Sequence, residues 1–315
     1  MARKQQELKS VISVYGKADG SLDTLAKKIK SFGDNVSKIG GAMTMMTAPI
    51  IAAIKTSTSL YTDYDDILRK IQAAGNYSPK QMQTIGDAAR QAGADTRYMA
   101  SDAASAFLSL TQAGVQLENS LDTLPTLLNA AAAGDMELAT ASDLLISNVY
   151  SLGKAFEKND VAAYMDKVVT AADASNTNVQ EMMEGVSKIG AAGRLFAGGD
   201  SELLAFLGML ANLNMKGTTG GINARNMIIS LLAPTKKAAT LINSLEISEE
   251  ELDETLEGID LKSASAAMEK MGLETVDATG KVRPMVDILT DLKNATDGMA
   301  DDEKANVLYS VFGKR

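Results

Sequence analysis

Helix stop signals recur along this chain at intervals of ~10–16 residues, and apolar side chains at helical spacing fill the stretches between them. Gly75, Gly93, Gly114, Gly153 and Gly272 each follow such a stretch, where a glycine just past a helix end is expected. The starts are marked as well. Ser78-Pro79 supplies an N-cap and a first-turn proline, Gln81 completes a capping box, and Tyr77 and Met82 occupy the staple positions. Ser248 with Glu251 repeats the device, flanked by Ile247 and Leu252, and Asn178 with Glu181 and Thr140 with Asp143 are looser versions. This punctuation predicts an all-α protein: an N-terminal helical arm, then a multi-helix array of short Gly-capped helices, with at most a small strand or hairpin. The strand candidates are residues 11–15 and a turn or hairpin over 276–282.

Within the array, Ala103, Phe107 and Leu110 keep the helical period, as do Gln81, Ile85 and Ala88. Contact faces are built from small residues such as Ala130 to Ala133, which let helix axes approach closely. Two runs are apolar almost all round: Leu203, Leu204, Phe206, Leu207, Met209, Leu210 and Leu213, then Met227, Ile228, Ile229, Leu231 and Leu232 before Pro234. A helix apolar on every side belongs in the middle of a fold. A chain of 315 residues has room for two or so domains. The boundary expected near residues 56–60 separates an arm, 1–58, from a core helical domain, 59–313, with a weaker sub-boundary near 245. No fixed-period repeat of 20–50 residues is legible.

Composition excludes most chemistry. There is no cysteine and no histidine, so disulfides, thiol nucleophiles, Ser-His triads and Cys- or His-bound metals are unavailable. Aromatics make up 4% of the chain, too few to line a sugar-binding cleft between carboxylate pairs such as Asp65 with Asp66 or Glu181 with Glu184. The net charge of −9 repels phosphate backbones, and no stretch reaches the ~20 apolar residues of a membrane span. MARKQQELKS carries no apolar signal core behind its charges, so synthesis in the cytoplasm is expected. We assign no catalytic, cofactor-binding or metal-binding residue, no cofactor, and expect no enzyme.

Four features are candidate binding elements. Residues 39–54 are uncharged between Lys38 and Lys55, yet shorter than a bilayer and broken by Pro49; burial against helices is the favoured reading and membrane entry the alternative. In residues 21–38, Leu22, Leu25, Ile29, Phe32 and Val36 form a coiled-coil-like seam beside Lys27, Lys28 and Lys30. Seven acids crowd residues 246–257 without the glycine of a calcium loop, which reads as a solvated helix face. Lys216-Gly217-Thr218-Thr219-Gly220-Gly221 suggests a phosphate cradle but lacks the P-loop order, and reads as a tight connection between buried helices.

Six segments, in order, resemble one family: AGADTRYMASDAASAFLSLTQAG (92–114), LPTLLNAAAAG (124–134), SNTNVQEMMEGVSKIG (175–190), LLAFLGMLANLNMKGTTGGINARNMIISLLAP (203–234), DATGKVRPMVDIL (277–289) and LYSVFGKR (308–315). These are similar to the core of the phage tail tape measure proteins, and Ala48-Pro49-Ile50 fits the apolar segment that precedes that core. Asn214 departs from the family's usual glycine, and Gly221-Ile222 from its Gly-Thr. The resemblance implies a structural virion protein that sets tail tube length during assembly and occupies the tube lumen until DNA ejection. It implies partners: copies of itself, the tail tube protein, tail assembly chaperones and the tail-tip or baseplate hub protein, with the host membrane met on ejection and no specific nucleic acid. The rival functions are a membrane-active injection protein that forms a channel for genome entry, and a muralytic tail enzyme. As one continuous helix at ~1.5 Å per residue, 315 residues would reach about 470 Å. A fragment, a processed product or a short member of the family is therefore expected.

Overall fold

A computed structural model describes residues 63–235 and 259–313, with 242, 244, 245, 247, 252 and 255–257 between them. The expected arm 1–58 with its 11–15, 21–38 and 39–54 features, the Ser248 cap and most of the acidic run lie outside the described residues. From Tyr64 onward the chain forms one compact unit. Its described part is all-α, and its only β feature there is a single antiparallel bridge between Val276 and Val282.

After a helical stretch over residues 63–75, the helices are α1 (Pro79–Asp95), α2 (Ala100–Gln112), α3 (Leu117–Ala133), α4 (Leu138–Ser151), α5 (Lys158–Asp173) and α6 (Val179–Ile189). A 3-10 turn, Gly190–Leu195, leads into α7 (Gly199–Asn212) and α8 (Gly217–Leu232). Then come α9 (Leu261–Met271), α10 (Met285–Thr296) and α11 (Asp301–Phe312).

The start signals behave unevenly. Ser78 and Gln81 close a reciprocal capping box with Pro79 in the first turn, as read from sequence. Asn178 caps α6 by accepting from the Glu181 backbone N–H at 2.8 Å, while the Glu181 side chain turns to the Thr177 hydroxyl. Thr140 and Asp143, read as a cap, lie inside α4, which starts two residues earlier behind Glu137.

Five helices end in the same turn. Gly114, Asp135, Gly153, Asn214 and Gly272 are left-handed, with φ between 51° and 80°. The residue after each donates its N–H back to the helix: Val115 to Leu110, Met136 to Ala131, Lys154 to Val149, Met215 to Leu210 and Leu273 to Met268, at 2.8–3.0 Å. This is the Schellman arrangement, which satisfies the orphan carbonyls of the last turn. Val115, Met136 and Leu273 are buried, supplying its usual apolar contact. Gly75 and Gly93 depart from the expected role. Both are helical, and Asn76 carries the positive φ instead. A Cβ on Gly75 would lie 2.2 Å from the Tyr77 ring, and one on Gly93 would lie 2.7 Å from the Ala100 nitrogen. These two glycines serve close packing.

Packing follows a simple order. The even helices stack on one another, α2 on α4, α4 on α6 and α6 on α8, while the odd helices stack as α1, α3, α5 and α7. Most consecutive helices also touch, so each helix packs chiefly on neighbours one or two places away. The starts of α2, α4, α6 and α8 recur every ~40 residues. The fold thus contains a helix-pair repeat that residue identities conceal: Asp135 makes the left-handed turn into α4 and Asn214 the one into α8, while the turns into α2 and α6 contain no left-handed residue. One continuous core runs through the stack, with Phe107, Leu145, Tyr164, Met183, Leu203 and Ile228 among its fully buried side chains.

The closest meeting is between α6 and α8. A Cβ on Gly221 would sit 2.2 Å from the Gly185 carbonyl oxygen, and one on Gly185 would touch both methyls of Leu207 at 3.3 Å. Glycine at both places permits near contact of the two backbones.

Candidate functional site

The residues singled out as chemical candidates have structural employment. Lys216 stands just before α8 and donates its ammonium to the Asn176 side-chain oxygen at 3.2 Å. The Gly-rich segment after it is the first turn of α8, pressed on α6. The carboxylates there belong to the protein itself: a Cβ on Gly217 would lie 3.0 Å from a Glu184 carboxylate oxygen and 3.8 Å from Glu181 Cα. With negative charge already beside that helix end, a phosphate would meet repulsion. The cavity at the junction measures about 10 Å³, room for one water at most. Glu181 and Glu184 therefore do not form an acid–base pair facing a cleft. Asp65 accepts two hydrogen bonds from Arg69 one turn on, an exposed helix pair. Among the described residues, no group of three or more acids is placed to hold a metal ion, and no helix is long and apolar enough to cross a membrane.

The perturbed ionisable groups serve the fold. Asp277 accepts from the Thr279 hydroxyl and from the Lys281 and Thr279 backbone N–H groups, which hold its carboxylate below the usual range and tie the 276–282 turn. Asp260 caps α9 in the same manner, its carboxylate lowered first by the Ser263 hydroxyl and then by the Lys262 N–H. Burial among apolar side chains pushes the Tyr164 phenol well above its ordinary value. Nearby, Asn148 is fully buried on α4 and donates its amide to the Met183 carbonyl on α6 at 3.1 Å, fixing the register of the even layer.

Long side chains also tie one helix end to another. The Tyr150 hydroxyl donates to the Ala113 carbonyl at 2.6 Å, and that of Tyr98 to the Met136 carbonyl at 2.9 Å. The Arg194 guanidinium donates to the Ser151 and Tyr150 carbonyls at 2.7 and 3.1 Å, closing the end of α4 with a cation where the helix dipole favours one.

A wider concavity lies elsewhere. A groove of about 480 Å³ opens between α5 and α7, floored by Leu204, Gly208 and Ala171 and edged by Asp166, Lys167 and Met209. Sequence reading missed it, because α7 was expected to be buried all round. Its inner side is buried through Leu203, Leu204, Phe206, Leu207 and Leu210, but Met209 is 47% and Leu213 69% exposed. The signal was present as an excess: α7 carries more apolar residues than one buried face can use.

The chain is 23% identical over 288 residues to the tape measure protein of Pneumococcus phage Dp-1, covering 90% of this chain and 23% of that protein. It is 22% identical over 238 residues to the probable tape measure protein of Escherichia phage P2, covering 74% of this chain and 26% of that one. The chain thus spans about a quarter of the length of these relatives. No solved structure matches. Residues 86–313, from the middle of α1 to the end of α11, match the family described as phage-related minor tail protein. The motif resemblance, the two relatives and this match agree, and the chain belongs to the phage-related minor tail protein family.

Proposed function

We propose that this chain acts as a tape measure segment: a structural tail component that contributes to tail tube length during assembly and occupies the tube lumen until DNA is ejected. The observation that carries the reading is the match over 86–313 together with relatives named as tape measure proteins at both levels of coverage. The physical character of the chain supports it. Among the described residues Asn178, Asp260, Asp277 and Arg194 serve caps and ties, which supports a mechanical role. Its net charge of −9 keeps it from gripping the DNA that must follow it. On this reading it is made in the host cytoplasm and meets copies of itself, the tail tube protein, tail assembly chaperones and the tip or baseplate hub.

Deleting one helix pair, such as residues 138–178, from the full-length gene tests the role. Tails shortened by a fixed increment under electron microscopy are the expected result. Tails of unchanged length would remove this block from length determination.

A further inference from the structure

We propose that the C-terminal helices α9, α10 and α11 form a cap that opens from the helix stack as one unit, and that Glu202 is the clasp holding it shut. Glu202 is half-buried on α7, and its two carboxylate oxygens have separate duties. Oε2 accepts from the Gly198 N–H at 2.8 Å, at the start of α7 itself. Oε1 accepts from the N–H of Met285, the first residue of α10, 83 positions along the chain. Pro284 stands at the N-cap of α10 without a side-chain hydrogen bond to give, so the α7 carboxylate serves an orphan N–H in its place. One side chain thus joins two helix starts, each of which favours negative charge.

The cap is thinly anchored. α11 buries only Val311 and α9 only Ala264 and Met268, whereas α8 buries nine of its 16 residues. The cap is tied within itself: α9 packs on α11, Arg283 donates to the Glu274 carbonyl at 2.7 Å and to Asp291 at 2.8 Å, and Val276 bridges Val282. Toward the stack, α11 rests on α8 and Glu202 reaches α10. A segment with internal ties and little burial opens locally, ahead of global unfolding. Loss of the clasp leaves the Met285 N–H without its charged acceptor and makes that opening easier. The tail reading rests on the family match, so failure of the clasp leaves it standing.

The test is hydrogen exchange of the full chain, read by mass spectrometry on peptic fragments, in wild type, Glu202→Ala and Glu202→Gln. Glutamine keeps the size, but its one carbonyl oxygen is the only acceptor left for two N–H groups. In wild type, α9, α10 and α11 should exchange together and faster than α4 and α6. In Glu202→Ala their exchange should rise about tenfold or more while α2, α4 and α6 stay unchanged, with a smaller rise in Glu202→Gln. Faster exchange confined to residues 198–212 would make Glu202 a cap of its own helix alone and overturn the proposal. Equal exchange in wild type and both variants, acceleration of α10 without α9 and α11, or acceleration spread evenly over the stack overturns it as well. Should Glu202→Ala fail to fold by circular dichroism, Glu202→Gln decides on the same pattern.

Discussion

The two layers of the helix stack use similar small residues to opposite ends. In the even layer, Gly185 and Gly221 bring α6 and α8 so close that neither position has room for a methyl group without movement of backbone or of Leu207. In the odd layer Gly208 also marks a close approach, since a Cβ there would lie 3.2 Å from Ser175 Cβ and 4.0 Å from the Ala171 carbonyl, yet a groove lined by both residues stays open beside it between α5 and α7. The lesson is that a small side chain permits a close crossing and does not compel one. What draws α6 and α8 together is the apolar matter on both sides of the glycines: Met182, Met183 and Val186 on one helix, Ala224, Ile228 and Ile229 on the other, all buried. On the odd side α7 spends its large residues inward and leaves Met209 and Leu213 bare.

That contrast can be attacked directly. The largest effect is expected from Gly221→Ala, because the new carbon would meet the Gly185 carbonyl at 2.2 Å, a backbone atom that cannot swing away. A loss of about 2–4 kcal/mol by urea unfolding is expected; a change under about 0.5 kcal/mol would mean that the even layer yields more readily than its geometry implies. Next is Asn148→Ala, which leaves the buried Met183 carbonyl without its side-chain donor and opens space between α4 and α6. A cost of about 1–3 kcal/mol is expected. Tyr164 tests the odd layer through pH. Its folded-state pKa is raised above the ordinary value of 10.0, so its neutral form contributes stability below that pH, and the contribution is lost as pH rises beyond it. Thermal melts across the alkaline range should show a decline that Tyr164→Phe lessens; identical declines would move the cause to another group. The smallest effect is expected at Gly208→Ala. There the new carbon would lie 3.0 Å from the Ser175 hydroxyl oxygen and 3.2 Å from Ser175 Cβ, a contact that a shift of a few tenths of an ångström relieves, so a cost of about 1 kcal/mol is expected.

These same residues explain what a reader of the sequence could and could not see. The Ser78 box was legible because capping is local and its chemistry lies within four residues. Gly114, Gly153 and Gly272 were legible as left-handed stops for the same reason. Gly75 and Gly93 were misread, since a glycine demanded by a neighbour's ring or backbone looks identical to one demanded by φ. Thr140 was misplaced because α4 begins without a side-chain cap, behind Glu137. The helix-pair period was hidden because its restart turns share no residue: Asp135 turns the chain into α4 and Asn214 into α8, and the turns into α2 and α6 hold no left-handed residue at all. The groove was out of reach altogether: it is bounded by residues some 40 positions apart, and only their assembly determines which side of α7 is covered.

The near-neighbour order of the stack has a consequence for how such a chain can change over time. Where each rung leans chiefly on the rungs beside it, removing or duplicating one pair disturbs two junctions and spares the rest. A recombination event that inserts ~40 residues at a restart turn can therefore be absorbed by this architecture, and its span becomes adjustable in discrete steps.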